Sequence, residues 1–129
     1  MRTFTEVGRR AHTHATGVGK AILAQLSDEQ VRRVISRSGL PAATQASITD
    51  VEELLADISR IRQRGYSVDE QEQELGVRCF AVGVPGAPTP TAISVSGPTS
   101  RVDDAFGRRA VPLLQAAARE IAEDLTRHR

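Results

Sequence analysis

Two serines in one apolar segment, Ser94 and Ser96, are the residues of this chain best placed to bind a small polar ligand. Residues i and i+2 of a β-strand lie on the same face, so the two hydroxyls would lie side by side. Ile93 and Val95 would then face the hydrophobic core from the opposite side of the strand. The serines therefore line either a polar pocket or a solvent-exposed strand face, and the pattern alone leaves both possibilities open.

Two glycines, Gly17 and Gly19, precede a segment whose apolar residues have helical spacing. The first N–H groups of a helix have no partner within it and, together with the helix dipole, attract a carboxylate or a phosphate. The alternative is that the glycines only allow a tight turn into the helix. The segment is not a P-loop, because Lys20 is followed by Ala21 and the required spacer after the first glycine is missing.

Two further side chains could contact such a ligand, namely Asp69 at the end of a predicted strand and Cys79 within another. A carboxylate accepts a hydrogen bond from a ligand hydroxyl, and its pKa would rise beside an anionic ligand. The alternatives are that Asp69 is an exposed acid beside the glutamate-rich segment 70–74 and that Cys79 is a buried structural thiol.

Metal binding and nucleophilic catalysis would require partners that the sequence does not supply. His12 and His14 could join Cys79 as zinc donors, but there is no second sulfur and no helical spacing of two histidines. Cys79 and His14 could form a catalytic pair, although nothing provides an orienting group or an oxyanion hole. We therefore predict no metal, no cofactor and no enzymatic activity, and a Cys79-dependent enzyme remains an alternative.

The composition is that of one globular domain without a membrane segment or a coherent basic surface. The 129 residues suffice for a single domain over 1–129, and the net charge is only +1, with arginines interleaved among acids, as at Glu29 and Arg33. The single cysteine fits a reducing cytoplasm, and the lack of a long apolar run or signal peptide argues against a membrane or secreted protein. Lysine occurs once, at Lys20, and we interpret the preference for arginine as genomic bias.

The elements that must position these residues follow a mixed α/β order. Ser27 and Gln30 fit a capping box at the start of a helix that ends near Gly39, and Asp50 begins a helix that ends at Gly65. A hairpin would place residues 79–84 beside residues 94–96. A proline inside the terminal helix, Pro112, should kink the helix or mark a restart. The predicted strands are residues 3–7, 66–69, 77–84 and 91–96, and the other predicted helices are residues 18–26 and about 103–126.

Four segments together resemble the C-terminal effector-binding domain of the IclR family of bacterial transcription regulators. They occur in the family's order and with similar spacing, over almost the whole chain. The most specific are Ile-Ser-Val-Ser-Gly-Pro at residues 93–98 and Gly-Val-Arg-Cys at residues 76–79. The four segments are residues 14–24, 65–70, 76–81 and 92–98.

The resemblance implies a GAF/PAS-like domain of the α+β type, in which a mixed, largely antiparallel sheet flanked by helices encloses a pocket for small carboxylates or aromatic acids. It also implies that a small organic acid effector modulates DNA binding by the full-length protein. The ligand-binding positions that it implies are the backbone N–H groups of Gly17 and Val18 and the side chains of Asp69, Cys79, Ser94 and Ser96.

The chain departs from the family pattern on its N-terminal side. The family's winged helix-turn-helix and the first strands of its effector domain are absent, so we expect the later two-thirds of that domain. DNA contact would then require the missing module. We expect a cytoplasmic homo-oligomer, either a dimer or a tetramer, without membrane contact. The alternative is a standalone module that binds small acids or mediates oligomerisation without direct DNA binding.

Overall fold

The computed structural model describes residues 13–127, which form four α-helices and a three-stranded sheet. The predicted strand at residues 3–7 and the histidine at position 12 lie outside this range. A single 3-10 turn, Thr13–Ala15, precedes the first helix. In chain order the elements are α1 (Gly17–Leu23), α2 (Asp28–Ser38), α3 (Val51–Arg64), β1 (Ser67–Glu70), β2 (Val77–Gly83), β3 (Ala92–Pro98) and α4 (Asp104–Arg127).

The sheet is antiparallel with the strand order β1-β2-β3, so β2 is the central strand. Cys79 on β2 lies opposite Asp69 on β1 and Ser96 on β3. One step along the same face, Ala81 lies opposite Ser94. The predicted hairpin is therefore confirmed, and its register brings polar side chains from three strands onto one face of the sheet.

The opposite face of the sheet is apolar and is covered by α4. Phe80 and Val95 pack in one cluster with Val111 of the helix, and Ile93 packs in a neighbouring cluster. A Cβ atom at Gly107 would lie 2.3 Å from the Phe80 ring, so the helix rests directly on that ring. Ile93 and Val95, which alternate with the two serines along β3, both pack against these apolar clusters. The prediction that they face a hydrophobic core is therefore confirmed.

Helix α1 packs against all three strands on the polar face, and α3 packs against α1. A second hydrophobic core lies among the first three helices, away from the sheet. This arrangement fixes α1 between the sheet and the other helices. The buried members of this core are Leu23, Val31, Ile35, Ile48, Leu54, Leu55 and Ile58.

The helix boundaries follow the local signals in the sequence. Ser27 and Gln30 form the complete capping box at α2, and Asp50 caps α3 by accepting a hydrogen bond from a backbone N–H. Gly65 ends α3 in the left-handed conformation at φ 85°. Helix α4 continues through Pro112, so of the two predicted outcomes, a kink or a restart, the restart is excluded. A proline removes only one helical hydrogen bond, and α4 is held by its packing on the sheet.

None of the helices within residues 13–127 is long and apolar enough to cross a bilayer. The helices and the antiparallel sheet confirm the predicted α+β fold.

The core among the first three helices should dominate stability. We predict that Leu54→Ala lowers the free energy of unfolding by about 2–5 kcal/mol, because Leu54 is 0% exposed and its truncation leaves a cavity. Leu113→Ala is the matched control, because Leu113 is 72% exposed on α4, and its effect should stay within about 0.5 kcal/mol. Urea denaturation followed by circular dichroism measures both. Equal losses would contradict this assignment of the core.

Candidate functional site

The polar face of the sheet runs from a buried carboxyl group to exposed hydroxyl groups. Asp69 is 5% exposed and Cys79 is also buried, whereas Ser94 and Ser96 on β3 are exposed in the described part of the chain. Since Asp69, Cys79 and Ser96 are register partners across three strands, their side chains form one row. The structure therefore brings together four of the predicted side chains.

The N-terminus of α1 lies directly on this face. A Cβ atom at Gly17 would lie only 2.6 Å from Cys79 Sγ, and the Ser67 hydroxyl donates a 2.6 Å hydrogen bond to the Gly17 carbonyl. A Cβ atom at Gly19 would lie 2.1 Å from the Thr13 carbonyl oxygen. Glycine is thus required at both positions, because any side chain would clash with Cys79 or with the Thr13 carbonyl. Val18, between them, is half-buried. Gly17 and Val18 are the first two residues of α1, which was predicted to begin at residue 18.

The Cys79 thiol is a neutral group in this site. Burial raises its pKa to about 11, and hydrogen bonds with Ser94 and with the backbone N–H of Gly17 only partly oppose that rise. The charge of Asp69 adds to the rise. A protonated thiol is a weak hydrogen-bonding group and a poor nucleophile, so Cys79 is suited to contact a ligand and not to attack one.

The Asp69 carboxyl titrates close to neutral pH. Burial raises its pKa to about 6, while its hydrogen bonds with the backbone N–H groups of Glu72 and Gln73 lower it. Oδ1 accepts the Glu72 N–H at 2.8 Å. The sequence predicted a rise caused by an anionic ligand, whereas in the structure burial is the largest cause and the charge of Glu72 adds to the rise.

A buried ion cluster beside the site was missed from the sequence. Lys20, in α1, is 1% exposed, and its ammonium donates to Asp57 Oδ2 at 2.9 Å, to Glu72 Oε2 at 2.9 Å and to the Val68 carbonyl at 2.6 Å. Glu72 is 6% exposed, so the segment 70–74 is not simply an exposed acidic loop. The sequence did contain a sign of this cluster, because Lys20 is the one charged residue of the otherwise apolar helix α1. The interpretation of the single lysine as genomic bias does not account for its buried position.

Of the two histidines considered as zinc donors, the structure describes only His14. His14 is buried, and its Nε2 donates to the Pro41 carbonyl at 2.9 Å. Among residues 13–127, no group of three or more His, Cys, Asp or Glu side chains is arranged to hold a metal ion.

Comparison with known proteins identifies a family match over nearly all of the chain. The family model described as "Bacterial transcriptional regulator IclR C-terminal" matches residues 1–123. The Transcriptional repressor IclR of Escherichia coli (strain K12) is 44% identical over 110 residues, which are 81% of this chain and 39% of that protein. The Acetate operon repressor of Salmonella typhimurium (strain LT2) is 39% identical over 127 residues, which are 94% of this chain and 45% of that protein. The chain thus spans less than half the length of these relatives.

Solved structures with the same fold include two regulatory domains. The C-terminal domain of the E. coli transcriptional regulator KdgR has a TM-score of 0.84 and 32% identity, covering 92% of this chain and 73% of that chain. The inducer-binding domain of the PobR transcription factor from Acinetobacter, a double mutant in complex with 3-hydroxybenzoic acid, has a TM-score of 0.83 and 33% identity. That match covers 91% of this chain and 69% of that chain. These relatives are transcription regulators, and none of their names supports the Cys79-dependent enzyme.

Asp69 should make the fold less stable as the pH rises from about 4 to about 6. Its folded-state pKa of about 6 lies above the ordinary value of 3.8, so in this window the folded chain binds more protons than the unfolded chain. We predict that the unfolding free energy of wild type minus that of Asp69→Asn declines across this window and levels off above about pH 7. Urea denaturation of both proteins at each pH measures the difference. A difference that is constant or increases with pH would contradict the raised pKa.

The contact between α1 and β2 can be tested by a double-mutant cycle. Gly17→Ala should lower the free energy of unfolding by about 1–3 kcal/mol, because the new methyl group meets Cys79 Sγ. In a Cys79→Ala background the sulfur is gone, so the same substitution should cost at least about 0.5 kcal/mol less. Urea denaturation of the four proteins gives the coupling. Additive effects would show that Gly17 and Cys79 do not approach each other as described.

Proposed function

Because the chain belongs to the IclR family of bacterial transcription regulators, we propose that it is a ligand-sensing domain that binds a small organic acid. Binding of this effector modulates DNA binding by the full-length protein. The effector site lies where α1 meets the polar face of the sheet. Its proposed contacts are the backbone N–H groups of Gly17 and Val18 and the side chains of Asp69, Cys79, Ser94 and Ser96.

One observation carries this proposal: polar groups from three strands share the sheet face that supports the start of α1. Ser94 and Ser96, on an otherwise apolar strand, donate hydrogen bonds from their hydroxyls to the oxygens of the effector. The N–H groups at the start of α1 add a positive potential that attracts the carboxylate of the effector. Asp69 then accepts from a hydroxyl group of the effector.

The charge of Asp69 restricts which ligands bind. A carboxylate ligand close to an ionised Asp69 would be repelled, but a carboxyl whose pKa is about 6 is readily protonated as the anion enters. Binding of an anionic effector would therefore be accompanied by proton uptake. The 3-hydroxybenzoic acid bound to the PobR inducer-binding domain belongs to this chemical class, since it carries one carboxyl and one hydroxyl group.

Transmission to DNA requires parts of the protein beyond this domain. The relatives are more than twice as long as the matched region, which leaves room for a DNA-binding module. We propose a cytoplasmic homo-oligomer, a dimer or a tetramer, in which the effector favours one of two quaternary arrangements. Coupling of this kind needs the effector to bind the two arrangements with different affinity.

A thermal-shift measurement on the 129-residue chain tests the proposal. The panel contains acetate, pyruvate, succinate and 3-hydroxybenzoate, with 3-hydroxybenzamide as an uncharged counterpart. An acid at 100 times its dissociation constant should add about 2.7 kcal/mol of stability, which corresponds to a rise in Tm of roughly 10 °C. The rise should be lost in the Ser94→Ala, Ser96→Ala double variant and kept in Ser59→Ala, which removes an exposed hydroxyl on α3.

Two results would count against acid sensing. If no acid shifts the Tm of a chain that unfolds cooperatively, the alternative of an oligomerisation module is favoured, and sedimentation velocity at several concentrations tests it. If the uncharged amide shifts the Tm as much as 3-hydroxybenzoate does, the site does not select for a carboxylate.

A further inference from the structure

We propose that Lys20 is a positioning residue for Asp69, acting through Glu72 and the turn that follows β1. The part of this inference that concerns ligand affinity depends on the proposed function, whereas the part that concerns the geometry of the turn does not. The hydrogen bonds of the Lys20 ammonium do not reach Ser94, Ser96 or the N–H groups at the start of α1. Its charge does act on two of the proposed ligand contacts, since it lowers the pKa of Asp69 and that of Cys79.

The Lys20 ammonium joins three parts of the chain at one point. It donates to Asp57 of α3, to the Val68 carbonyl of β1 and to the Glu72 carboxylate, all at 2.6–2.9 Å. Two of these acceptors are carboxylates, so the buried positive charge is neutralised. Removing Lys20 would leave the two buried carboxylates uncompensated, so its loss should be strongly destabilising.

The turn after β1 connects this cluster to Asp69. The Glu72 N–H donates to Asp69 Oδ1 at 2.8 Å, and the Glu72 carboxylate in turn accepts the Glu70 N–H at 3.1 Å. Gln71, between them, has φ 60°, a left-handed conformation that a non-glycine residue adopts at a cost. A turn with this strain needs external contacts to persist, and the Lys20–Glu72 ion pair is one of them.

The backbone carbonyls of the turn and the side chain of Glu72 are held by different residues. The Thr44 hydroxyl donates to the Gln71 carbonyl at 2.6 Å, and the Ser47 hydroxyl donates to the Glu72 carbonyl. Both come from the connection between α2 and α3. These contacts hold the carbonyl side of the turn, whereas Lys20 holds the carboxylate of Glu72, the residue whose backbone N–H donates to Asp69. Loss of Lys20 should therefore loosen the turn without abolishing it.

Amide hydrogen exchange by NMR on the ligand-free chain is the primary test. Lys20→Met should accelerate exchange of the Glu72 N–H by about tenfold relative to the Leu54 N–H, which lies in the core among the helices. Glu72→Gln removes the charge and keeps the shape, and it should accelerate exchange of the backbone N–H at position 72 severalfold. This variant keeps the test available if Lys20→Met fails to fold. Arg60→Gln is the matched control, because the exposed Arg60 pairs with Asp57 Oδ1 at 3.3 Å, whereas Lys20 donates to Oδ2 of the same carboxylate.

The exchange result overturns the inference in either of two ways. One is an unchanged ratio between the Glu72 and Leu54 amides in both Lys20→Met and Glu72→Gln, which would mean that the turn holds itself. The other is an equal change in Arg60→Gln, which would reflect general loosening of α3.

A binding cycle tests whether Lys20 acts through Asp69. With 3-hydroxybenzoate as the probe, or the panel acid with the largest shift in Tm, Lys20→Met and Asp69→Asn should each raise the Kd about tenfold. The double variant should then bind no more weakly than Asp69→Asn alone, because residues that act in series are not additive. Multiplied losses would assign Lys20 a role independent of Asp69. If no acid binds the wild-type chain, the proposed function fails while the exchange ratio still decides the role of Lys20.

Discussion

The buried ammonium of Lys20 is the constraint on which the arrangement of this domain depends. A charged group that is 1% exposed is costly unless it is neutralised and fully hydrogen-bonded, and Lys20 meets this need with two carboxylates and one carbonyl. Its partners lie on α3, on β1 and in the turn that follows β1. The same interaction therefore fixes α1 relative to the helices behind it and to the sheet in front of it.

The central strand β2 separates two environments with opposite chemistry. Phe80 faces the apolar clusters under α4, whereas Cys79 faces α1 and the side chains of Asp69 and Ser96. Because the apolar face carries the packing of α4, the other face is free to hold polar groups without loss of that core. The proposed ligand site is built on strands and therefore rests on rigid elements.

The electrostatics of the polar face favour reversible binding over chemistry. The Cys79 thiol is held neutral by burial, and the Asp69 carboxyl titrates near pH 6. These two groups and the exposed hydroxyls of Ser94 and Ser96 suit the proposed recognition of an acid. None of them is an activated nucleophile. This agrees with the family, whose members named above are transcription regulators.

Local features of the sequence were sufficient to predict most of the described elements and several of their boundaries. The capping box at Ser27, the glycine at position 65 and the alternation around Ser94 each act within a few residues, so their consequences are visible in the sequence. The hairpin also followed from local alternation and a turn, and it placed Cys79 beside Ser96. The glycines were expected to precede a helix over residues 18–26, whereas both lie in the first turn of α1, which ends at Leu23.

Only the tertiary structure decided what the glycines and the lysine do. Gly17 contacts a strand far along the chain, and the partners of Lys20 lie 37, 48 and 52 residues away. The persistence of α4 through Pro112 likewise depends on its packing against the sheet. No local pattern encodes such contacts, because a buried ion pair and a close backbone approach exist only after separate elements have packed together.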